Sequence, residues 1–303
     1  MRDVSHKSTT LRTATACATL HARAETIVSI KKGDLPKGDA LTVAKVAAVQ
    51  AAKNTPQLIP YCHPVPVEFV GVDYEFTETS VKIKALVKSV YKTGVEMEAL
   101  TAATAAALTI YDMAKMVDED LAIDEVRLVE KRGGKSDFAP TEGVTASVIT
   151  VSDTVAKHEG EDRSGPIAEQ MLRQHGAEVV STHRSSDDPD EIKGAVAAAK
   201  GRFVVLTGGT GVGPRDNTPE VVRSIVEKEL PGVSEQVRNY GQDRMPRAMF
   251  SRSVCGIVGD RVILCLPGSP RGVEEGLTAV LPHLFHLLDV LRGADHRQAE
   301  SKV

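Results

Sequence analysis

Residues 203–220 read FVVLTGGTGVGPRDNTPE, and this stretch decides the fold of the second half of the chain. Its first four residues are apolar and predict a short buried strand. Glycines follow at 208, 209, 211 and 213, and glycine allows positive φ angles and a close approach of the backbone. Thr218 and Pro219 then predict the N-cap and first residue of a helix. This order of elements can cradle an anion with backbone N–H groups, although a glycine-rich turn without a ligand fits the same residues.

Strands and helices alternate through the whole second half. The predicted strands cover residues 147–151, 178–182, 203–206 and 262–266, and the predicted helices cover 166–175, 189–199, 219–229 and 270–288. Such a βαβ order predicts an α/β domain of three layers, with a mostly parallel sheet between the helices. Ligand sites in such sheets lie at the carboxyl ends of the strands. The polar segments that we expect to converge at that edge are 152–166, 185–189, 207–218 and 267–269.

The first half combines helices with strands of alternating hydrophobicity. Residues 41–50 have helical spacing, and Pro56 is expected to end that helix. A long alanine-rich helix is predicted over 94–117, and the predicted strands are 67–76, 81–90 and 126–130. Two helices against an antiparallel sheet give an α+β sandwich. The seam at 133–143, rich in glycine and polar residues, predicts a boundary near Ala139, with domains at 1–138 and 144–303.

Length, composition and charge exclude several classes of protein. Its 303 residues suit two domains, and 42% hydrophobic with 26% charged residues is ordinary for a globular protein. No apolar run reaches the roughly 18 residues of a transmembrane helix, and Met1–Lys7 holds no apolar signal core, so we expect a cytoplasmic protein without membrane contact. A net charge of −4 argues against a general nucleic-acid binder. The four cysteines form no C-x-x-C pair, which argues against a disulfide framework and structural zinc.

Arg215 and Asp216 are the charged residues of the glycine-rich stretch. Arginine grips phosphate through parallel hydrogen bonds, and an aspartate can hold a Mg²⁺ ion that bridges phosphates. The stretch is not a Walker A loop, because it lacks G-K-[ST]. Asp187 and Asp188 stand just before a predicted helix, and one of them is expected to be a capping acid of that helix.

The second half resembles the molybdopterin-binding family of the MoaB and MogA type. The shared motif, T-G-G-T-G-x-x-x-R-D-x-T-P at residues 207–219, is highly specific, and the resemblance covers residues 144–288. It implies a three-layer α/β domain, often trimeric, that transfers an adenylyl group from Mg·ATP to molybdopterin and releases pyrophosphate. The two family acids fall on Asp216, the candidate Mg²⁺ ligand, and on Asp187, for which Asp188 competes. The implied substrate-binding residues are Thr207, Gly208, Gly209, Thr210, Gly211, Arg215, Pro267, Gly268 and Ser269.

Two clusters in the first half carry candidate chemistry. His63 lies in a loop stiffened by prolines, where a simple core histidine is not expected. Glu96 and Glu98 begin the alanine-rich helix, where a helix-dipole role is the plain alternative. Asp112 and Lys115 are spaced i,i+3 on one helix face, where a surface ion pair is the plain alternative. Since Glu98 and Asp112 are about 21 Å apart along a helix, either the site is long or a second subunit supplies one end.

These segments together closely resemble the MoaC family, cyclic pyranopterin monophosphate synthase. The shared stretches include 3–7, 37–39, 51–53, 59–64, 93–100, 108–113 and 133–136, within residues 1–138. The resemblance implies a ferredoxin-like α+β sandwich, a hexamer with sites at subunit interfaces, and conversion of (8S)-3′,8-cyclo-7,8-dihydroguanosine 5′-triphosphate to cyclic pyranopterin monophosphate and pyrophosphate. Asp112 and Lys115 match the catalytic pair, to which we assign general acid–base work. The implied substrate-binding residues are Arg12, Lys37, Lys53, Tyr61 (where leucine is usual), Cys62, His63, Glu96, Met97, Glu98 and Lys131.

The two resemblances together predict a bifunctional protein of molybdenum cofactor biosynthesis. We expect a homo-oligomer, trimeric or hexameric, that takes pterin and nucleotide substrates, uses Mg²⁺ and ATP in its second domain and holds no tightly bound redox cofactor. For the second domain, a molybdopterin-binding or scaffold module without catalysis is the alternative, and ATP-dependent pyrophosphate release separates the two. A general nucleotide-binding regulator is a further alternative, and the intact Asp112, Lys115 and His63 argue against it.

Overall fold

The computed structural model describes residues 1–134 and 142–293. The chain divides into two compact units, Met1–Asp137 and Phe138–Val303, and each is described by itself. The boundary predicted near Ala139 lies outside the described residues. No helix in the described ranges is both long and apolar enough to cross a membrane.

The first unit is an α+β layer structure with an antiparallel sheet of four strands. Its elements are β1 (Thr10–His21), α1 (Ala24–Lys32), α2 (Ala40–Leu58), β2 (Phe69–Phe76), β3 (Ser80–Tyr91), α3 (Glu96–Ala114) and β4 (Ala122–Arg132). The strand order is β2-β3-β1-β4, and every neighbouring pair is antiparallel. Ala44, Ala48 and Ala52 of α2 are fully buried with the alanines of α3, and such small side chains let the two helices approach the sheet and each other closely.

Three sequence expectations for the first unit need correction. The central strand β1 and the helix α1 were not predicted, so the core has three helices where two were expected. Pro56 does not end α2, which continues to Leu58. The proline lies in the last turn, where it removes a single intrahelical bond, and the preceding Thr55 donates its hydroxyl to the carbonyl of Ala51 at 3.0 Å.

The second unit is an α/β domain. Its elements are β5 (Thr145–Val151), α4 (Asp153–Ala156), α5 (Ser164–Gln174), β6 (Glu178–Ser185), α6 (Pro189–Ala198), β7 (Phe203–Thr207), α7 (Thr218–Ile225), β8 (Lys228–Glu229), α8 (Pro231–Gln242), β9 (Cys255–Val258), β10 (Arg261–Leu266), α9 (Pro270–Val280) and α10 (His286–Val290), with 3-10 turns at Pro246–Phe250 and His283–Phe285. The sheet order is β6-β5-β7-β10-β9-β8, parallel from β6 to β10 and antiparallel at the β8 edge. The predicted, mostly parallel sheet is confirmed.

Apolar side chains cover both faces of this sheet, which gives the three layers. On one face Leu172 of α5 and Leu277 of α9 pack with Val148 of β5. On the other face Ile192 of α6 and Val222 of α7 complete the second cluster. Parallel sheets bury both faces in this way, so their strands are apolar throughout.

The helix predicted over 219–229 is shorter than expected. It ends at Ile225, because the chain turns extended and joins the sheet edge, where Leu230 N–H donates to the carbonyl of Cys255 at 2.7 Å. Its N-cap is Asn217 and its first residue is Thr218, so Thr218 is not the cap that the sequence suggested. The helix α8 and the strands β8 and β9 were not predicted, and the helices expected over 270–288 are α9, the 3-10 turn at His283–Phe285 and α10.

Candidate functional site

The carboxyl ends of β5, β6, β7 and β10 meet at one edge of the parallel sheet and surround a cavity of about 350 Å³. Ser152, Asp187, Gly208 and Gly268, from the segments after these four strands, line it. Residues 161–163, before α5, and Ser164, its first residue, close another side. The segments predicted to converge therefore do converge.

The glycine-rich loop passes so close to its neighbours that two positions accept glycine alone. Gly208 has φ +107°, and a Cβ built there would stand 2.0 Å from the carbonyl oxygen of Val151. Gly209 has φ +62°, and its Cβ would stand 2.3 Å from Oγ1 of Thr218. Both conformations also disfavour any residue with a side chain. The loop backbone is thereby pressed against the end of β5 and the start of α7.

Arg252 holds the same loop from outside. Its N–H donates to the carbonyl of Thr210 at 2.9 Å, and its Nε donates to the carbonyl of Gly211 at 2.7 Å. Its guanidinium also donates to the carbonyl of Asp216 at 2.5 Å and pairs with Glu220. These bonds span both ends of the segment 210–216. Arg252 therefore fixes the loop that carries Arg215 and Asp216.

Asp216 lies inside this loop and lines the cavity. Its Oδ2 accepts a hydrogen bond from the N–H of Gly213 at 2.7 Å. Oδ1 has no hydrogen-bond partner among the residues that the structure describes, which leaves one carboxylate oxygen for a ligand. The carboxylate thus has both a fixed position and a free coordination site.

The two neighbouring acids before α6 have different places. Asp188 is the N-cap of α6, and its Oδ1 accepts hydrogen bonds from the N–H groups of Asp190 and Glu191 at 2.9 and 3.2 Å. Asp187 lines the cavity, and its Oδ1 lies 3.1 Å from the position a Cβ of Gly209 would take. Of the two candidates, Asp187 is the one in the cavity.

Asp187 is tied to Asp153, a residue named above only as part of a polar loop. The N–H of Asp153 donates to Oδ2 of Asp187 at 3.0 Å, and the N–H of Asp187 donates to Oδ1 of Asp153 at 3.1 Å. Arg215 Nη2 lies 2.7 Å from the same Oδ1 of Asp153. Arg215, predicted to grip phosphate, is therefore paired with a carboxylate in this structure.

Burial and charge move the pKa values of these acids in opposite directions. Burial raises the pKa of Asp187, and the negative charges of Asp153 and Asp216 add to that effect. The hydrogen bond from Arg215 lowers the pKa of Asp153. Protonation at this edge of the sheet thus falls on Asp187 before Asp153.

Of the remaining predicted residues of the second unit, only Gly268 lines the cavity, and the others support the loops around it. Thr207 is buried, with its hydroxyl 2.9 Å from that of Ser164, and Thr210 is buried as well. Gly268 lies against Gly208, while Ser269 caps α9 by accepting from the N–H of Gly272 at 3.1 Å. No group of three or more His, Cys, Asp or Glu side chains within residues 1–134 and 142–293 forms a ready-made metal site.

In the first unit, Asp112 is held between two lysines at the end of α3. Its Oδ2 lies 2.6 Å from Nζ of Lys37, and its Oδ1 lies 2.7 Å from Nζ of Lys115. Hydrogen bonds from Lys115 and then Lys37 lower the pKa of Asp112 to about 2. The bond to Asp112 raises the pKa of Lys115. The group is exposed to solvent, so its three side chains are accessible to a ligand.

A second group lies at the start of α3. Glu98 is only 1% exposed, its Oε1 accepts a hydrogen bond from the Cys62 thiol at 3.4 Å, and its Oε2 is buried with no partner among the described residues. Burial raises the pKa of Glu98, and burial with the nearby Glu98 charge raises the pKa of Cys62 to about 11. Glu96 pairs with Lys131 at 3.3 Å. An unsatisfied buried carboxyl oxygen is costly unless a ligand or partner meets it.

Other predicted residues of the first unit are less closely tied together. Nε2 of His63 lies 2.8 Å from the carbonyl of Arg2, and Nε of Arg12 donates to the carbonyl of Tyr91 at 3.3 Å. Lys53, Tyr61 and Met97 are exposed. Within one chain, Asp112 with its two lysines and Glu98 with Cys62 form two separate groups, one at each end of α3.

Comparison with known proteins matches both units. The MoaC family model matches residues 1–134, and the model of the probable molybdopterin binding domain matches residues 147–286. A molybdenum cofactor biosynthesis bifunctional protein of Synechococcus elongatus is 41% identical over 98% of both chains. The chain belongs to the family of bifunctional molybdenum cofactor biosynthesis proteins.

Two further relatives fit the same assignment. The molybdenum cofactor biosynthesis bifunctional protein of Chlorobaculum tepidum is 40% identical over 98% of this chain and 96% of its own. A cyclic pyranopterin monophosphate synthase of a Thermoanaerobacter species is 50% identical over 45% of this chain and 87% of its own. The first unit of this bifunctional protein is therefore also similar to a protein that consists mostly of this one unit.

Asp153 and Arg252 were not among the candidate site residues of the second unit, and Thr218 was predicted only as a motif residue and helix cap. Asp153 and Arg252 reach the site through contacts between residues far apart in the chain. The hydroxyl of Thr218 is fully buried, has no hydrogen-bond partner among the described residues and points at Gly209. For Asp153 a signal existed, because it directly follows the end of a strand at the edge where sites form.

Proposed function

We propose that the first unit is a cyclic pyranopterin monophosphate synthase and that the second unit binds molybdopterin and adenylylates it with Mg·ATP. The observation that carries the proposal for the first unit is Asp112 held between Lys37 and Lys115. For the second unit it is the placement of Asp187 and Asp216 around one cavity. Membership of the bifunctional family supports both parts.

The three side chains around Asp112 suit a substrate with a triphosphate. Lys115 carries the proton of the pair, since its pKa is raised while that of Asp112 is lowered. A triphosphate competes with Asp112 for Lys37, and the loss of this cation makes Asp112 a stronger base. We assign general acid work to Lys115 and general base work to Asp112 on this ground.

The first unit's site needs more than one chain. Glu98, Cys62 and His63 lie at the opposite end of α3 from Asp112, which supports a homo-oligomer in which two copies complete each site. We propose a trimer or hexamer of this kind. The strand order β2-β3-β1-β4, with helices after β1 and β3, supports a ferredoxin-like sandwich as the subunit fold.

The residues of the second unit fit a Mg²⁺ ion that arrives with ATP. Mg²⁺ is usually bound through one or two carboxylates together with substrate phosphates and water. Asp216 offers a free Oδ1, and Asp187 lies in the same cavity, so these two residues would hold the ion. Bound there, the ion would neutralise phosphate charge. The glycine-rich loop and the start of α7 supply backbone N–H groups for the anion.

A direct assay tests both parts. The purified full chain is supplied with the cyclic dihydroguanosine triphosphate, or with molybdopterin and Mg·ATP, and pyrophosphate release is followed in each case. The proposal expects release in both reactions. Release from the first reaction alone, with tight molybdopterin binding, would make the second unit a binding or scaffold module.

A further inference from the structure

Asp153 joins three loops of the second unit at a single carboxylate. It lies in the segment after β5, and its Oδ1 meets the N–H of Asp187, after β6, and the guanidinium of Arg215, after β7. Its own N–H returns a bond to Oδ2 of Asp187 at 3.0 Å. Two reciprocal hydrogen bonds and one ion pair of 2.7 Å therefore meet between these residues.

We propose that Asp153 is a positioning residue for the second unit's reaction, which fixes Asp187 and Arg215 in one arrangement and does not itself contact the reacting atoms. The inference rests on the proposed function of this unit. Charge-assisted hydrogen bonds of this length are the strong ones, and a bond to each of two loops restricts both. A site held by such contacts keeps its groups close to reacting geometry.

The charges around Asp187 show what Asp153 does beyond holding the backbone. Asp153 and Asp216 act on Asp187 as negative neighbours and Arg215 acts as a positive one, while Glu161, Asp162 and Arg163 line the same cavity from the segment before α5. By engaging Arg215, Asp153 also keeps that cation from moving freely toward Asp187. Loss of the Asp153 charge would therefore release Arg215 from its fixed position.

The simpler reading makes Asp153 an ordinary first-turn acid of the short helix α4. In that case Asp153→Asn would alter stability at most, and would leave Asp187 as it is. The asparagine keeps an oxygen that can accept the N–H of Asp187, and it removes the charge that holds Arg215. The substitution thus separates the positioning role from a purely local one.

The experiment compares the full chain with Asp153→Asn and with Asp190→Asn as a control of equal charge change. Asp190 is exposed in the first turn of α6 and its side chain lies outside the cavity lining. The position of the Arg215 side chain is determined in crystal structures of each chain. Molybdopterin affinity, the kcat of adenylylation and the thermal midpoint are measured on the same samples.

We expect Asp153→Asn to displace the Arg215 side chain, to reduce kcat about tenfold or more and to change molybdopterin affinity little. Asp190→Asn should leave all three as in the parent chain. An unchanged kcat in a folded Asp153→Asn variant overturns the inference. If the parent chain does not adenylylate, the proposed function fails, while the structures still decide whether Asp153 positions Arg215.

Discussion

Glu98 and Asp112 lie on one helix, α3, but at its opposite ends, in the first and last turns. Fourteen residues separate them, or about 21 Å along the axis. Each end carries its own group: Glu98 meets Cys62, and Asp112 meets Lys37 and Lys115. A small substrate bound at one group of a single chain does not reach the other.

Mixed oligomers should therefore recover activity. We expect a Glu98→Ala chain and an Asp112→Asn chain, each inactive alone in the first reaction, to regain part of it when co-assembled, since some sites then receive both intact ends. Pyranopterin formation by verified mixed oligomers is the measurement. Co-assembly of two Asp112→Asn preparations with different tags is the control. Mixed oligomers without recovered activity would speak against sites shared between subunits.

Single substitutions in the lysine–aspartate group should abolish the first reaction without unfolding the chain. Asp112→Asn and Lys115→Ala remove the proposed base and acid, and all these side chains are solvent-exposed, so the core is untouched. We expect pyranopterin formation to fall by two orders of magnitude or more, on the order of what acid–base groups contribute. Circular dichroism and the thermal midpoint provide the control. Near-normal turnover in either variant removes that residue from catalysis.

The buried Glu98 should make stability depend on pH. Burial raises its pKa in the folded state, so the protonated form favours folding, and the stability it contributes below its unfolded pKa is lost as pH rises through the folded value. A glutamine at this position does not ionise, so the Glu98→Gln variant does not lose folding stability in this way as pH rises. We expect the variant to gain thermal stability relative to the parent at neutral pH and to show a smaller gain at pH 4. Glu78→Gln, at an exposed turn, should change the thermal midpoint equally at both pH values. A difference in thermal midpoint between Glu98→Gln and the parent that is constant with pH would contradict the account.

The glycine-rich loop should not tolerate a side chain at its start. Gly208→Ala places a methyl group 2.0 Å from the Val151 carbonyl at φ +107°, so we expect a loss of more than about 1 kcal/mol in the stability of the second unit. Gly194→Ala in α6 meets nothing within 4 Å and should stabilise its helix by up to about 1 kcal/mol. Chemical denaturation of both variants checks this pair. Equal free energies of unfolding in the two variants would mean that the close approach at Gly208 does not affect stability.

The sequence predicted the apolar parallel strands well because burial on both faces makes them continuous apolar runs. It failed at β1, whose TLRTATACATLH alternates alanine and threonine with few large apolar side chains. Ala14, Ala16 and Ala18 are nonetheless buried, because the alanine-rich helix α3 packs closely on that strand. Such packing belongs to the tertiary structure and leaves no large hydrophobic signal in the segment itself.

The site shows the same division between local and long-range information. The glycine-rich loop, Asp216 and the lysine–aspartate spacing are local patterns, so sequence alone identifies them. Asp187 and Asp188 are the same type of residue; Pro189 at the start of α6 favours Asp188 as the cap, but the place of Asp187 in the cavity is seen only in the structure. The pairing of Asp153 with Asp187 joins residues 34 positions apart, and no local pattern encodes it.

We expect Asp216 to affect the rate of the second reaction far more than the binding of molybdopterin. We expect Asp216→Asn, which retains an oxygen for the N–H of Gly213, to bind molybdopterin nearly as well as the parent chain. Its rate of adenylylation should fall by two to three orders of magnitude, roughly the effect of removing one electrostatic group from a reaction site. Asp216→Ala should lower the rate by a similar factor. Because alanine offers no oxygen to the N–H of Gly213, this variant should also loosen the loop. Lost pterin affinity with an intact rate at saturating pterin would contradict the assigned role.

The most direct test of two independent activities in one chain is a crossed measurement of pyrophosphate release. The full-length parent, Asp112→Asn and Asp216→Asn are each assayed in both reactions. We predict that Asp112→Asn loses the first reaction and keeps the second, while Asp216→Asn keeps the first and loses the second. A parent chain inactive in either reaction, or one substitution that abolishes both in a folded chain, would contradict the account.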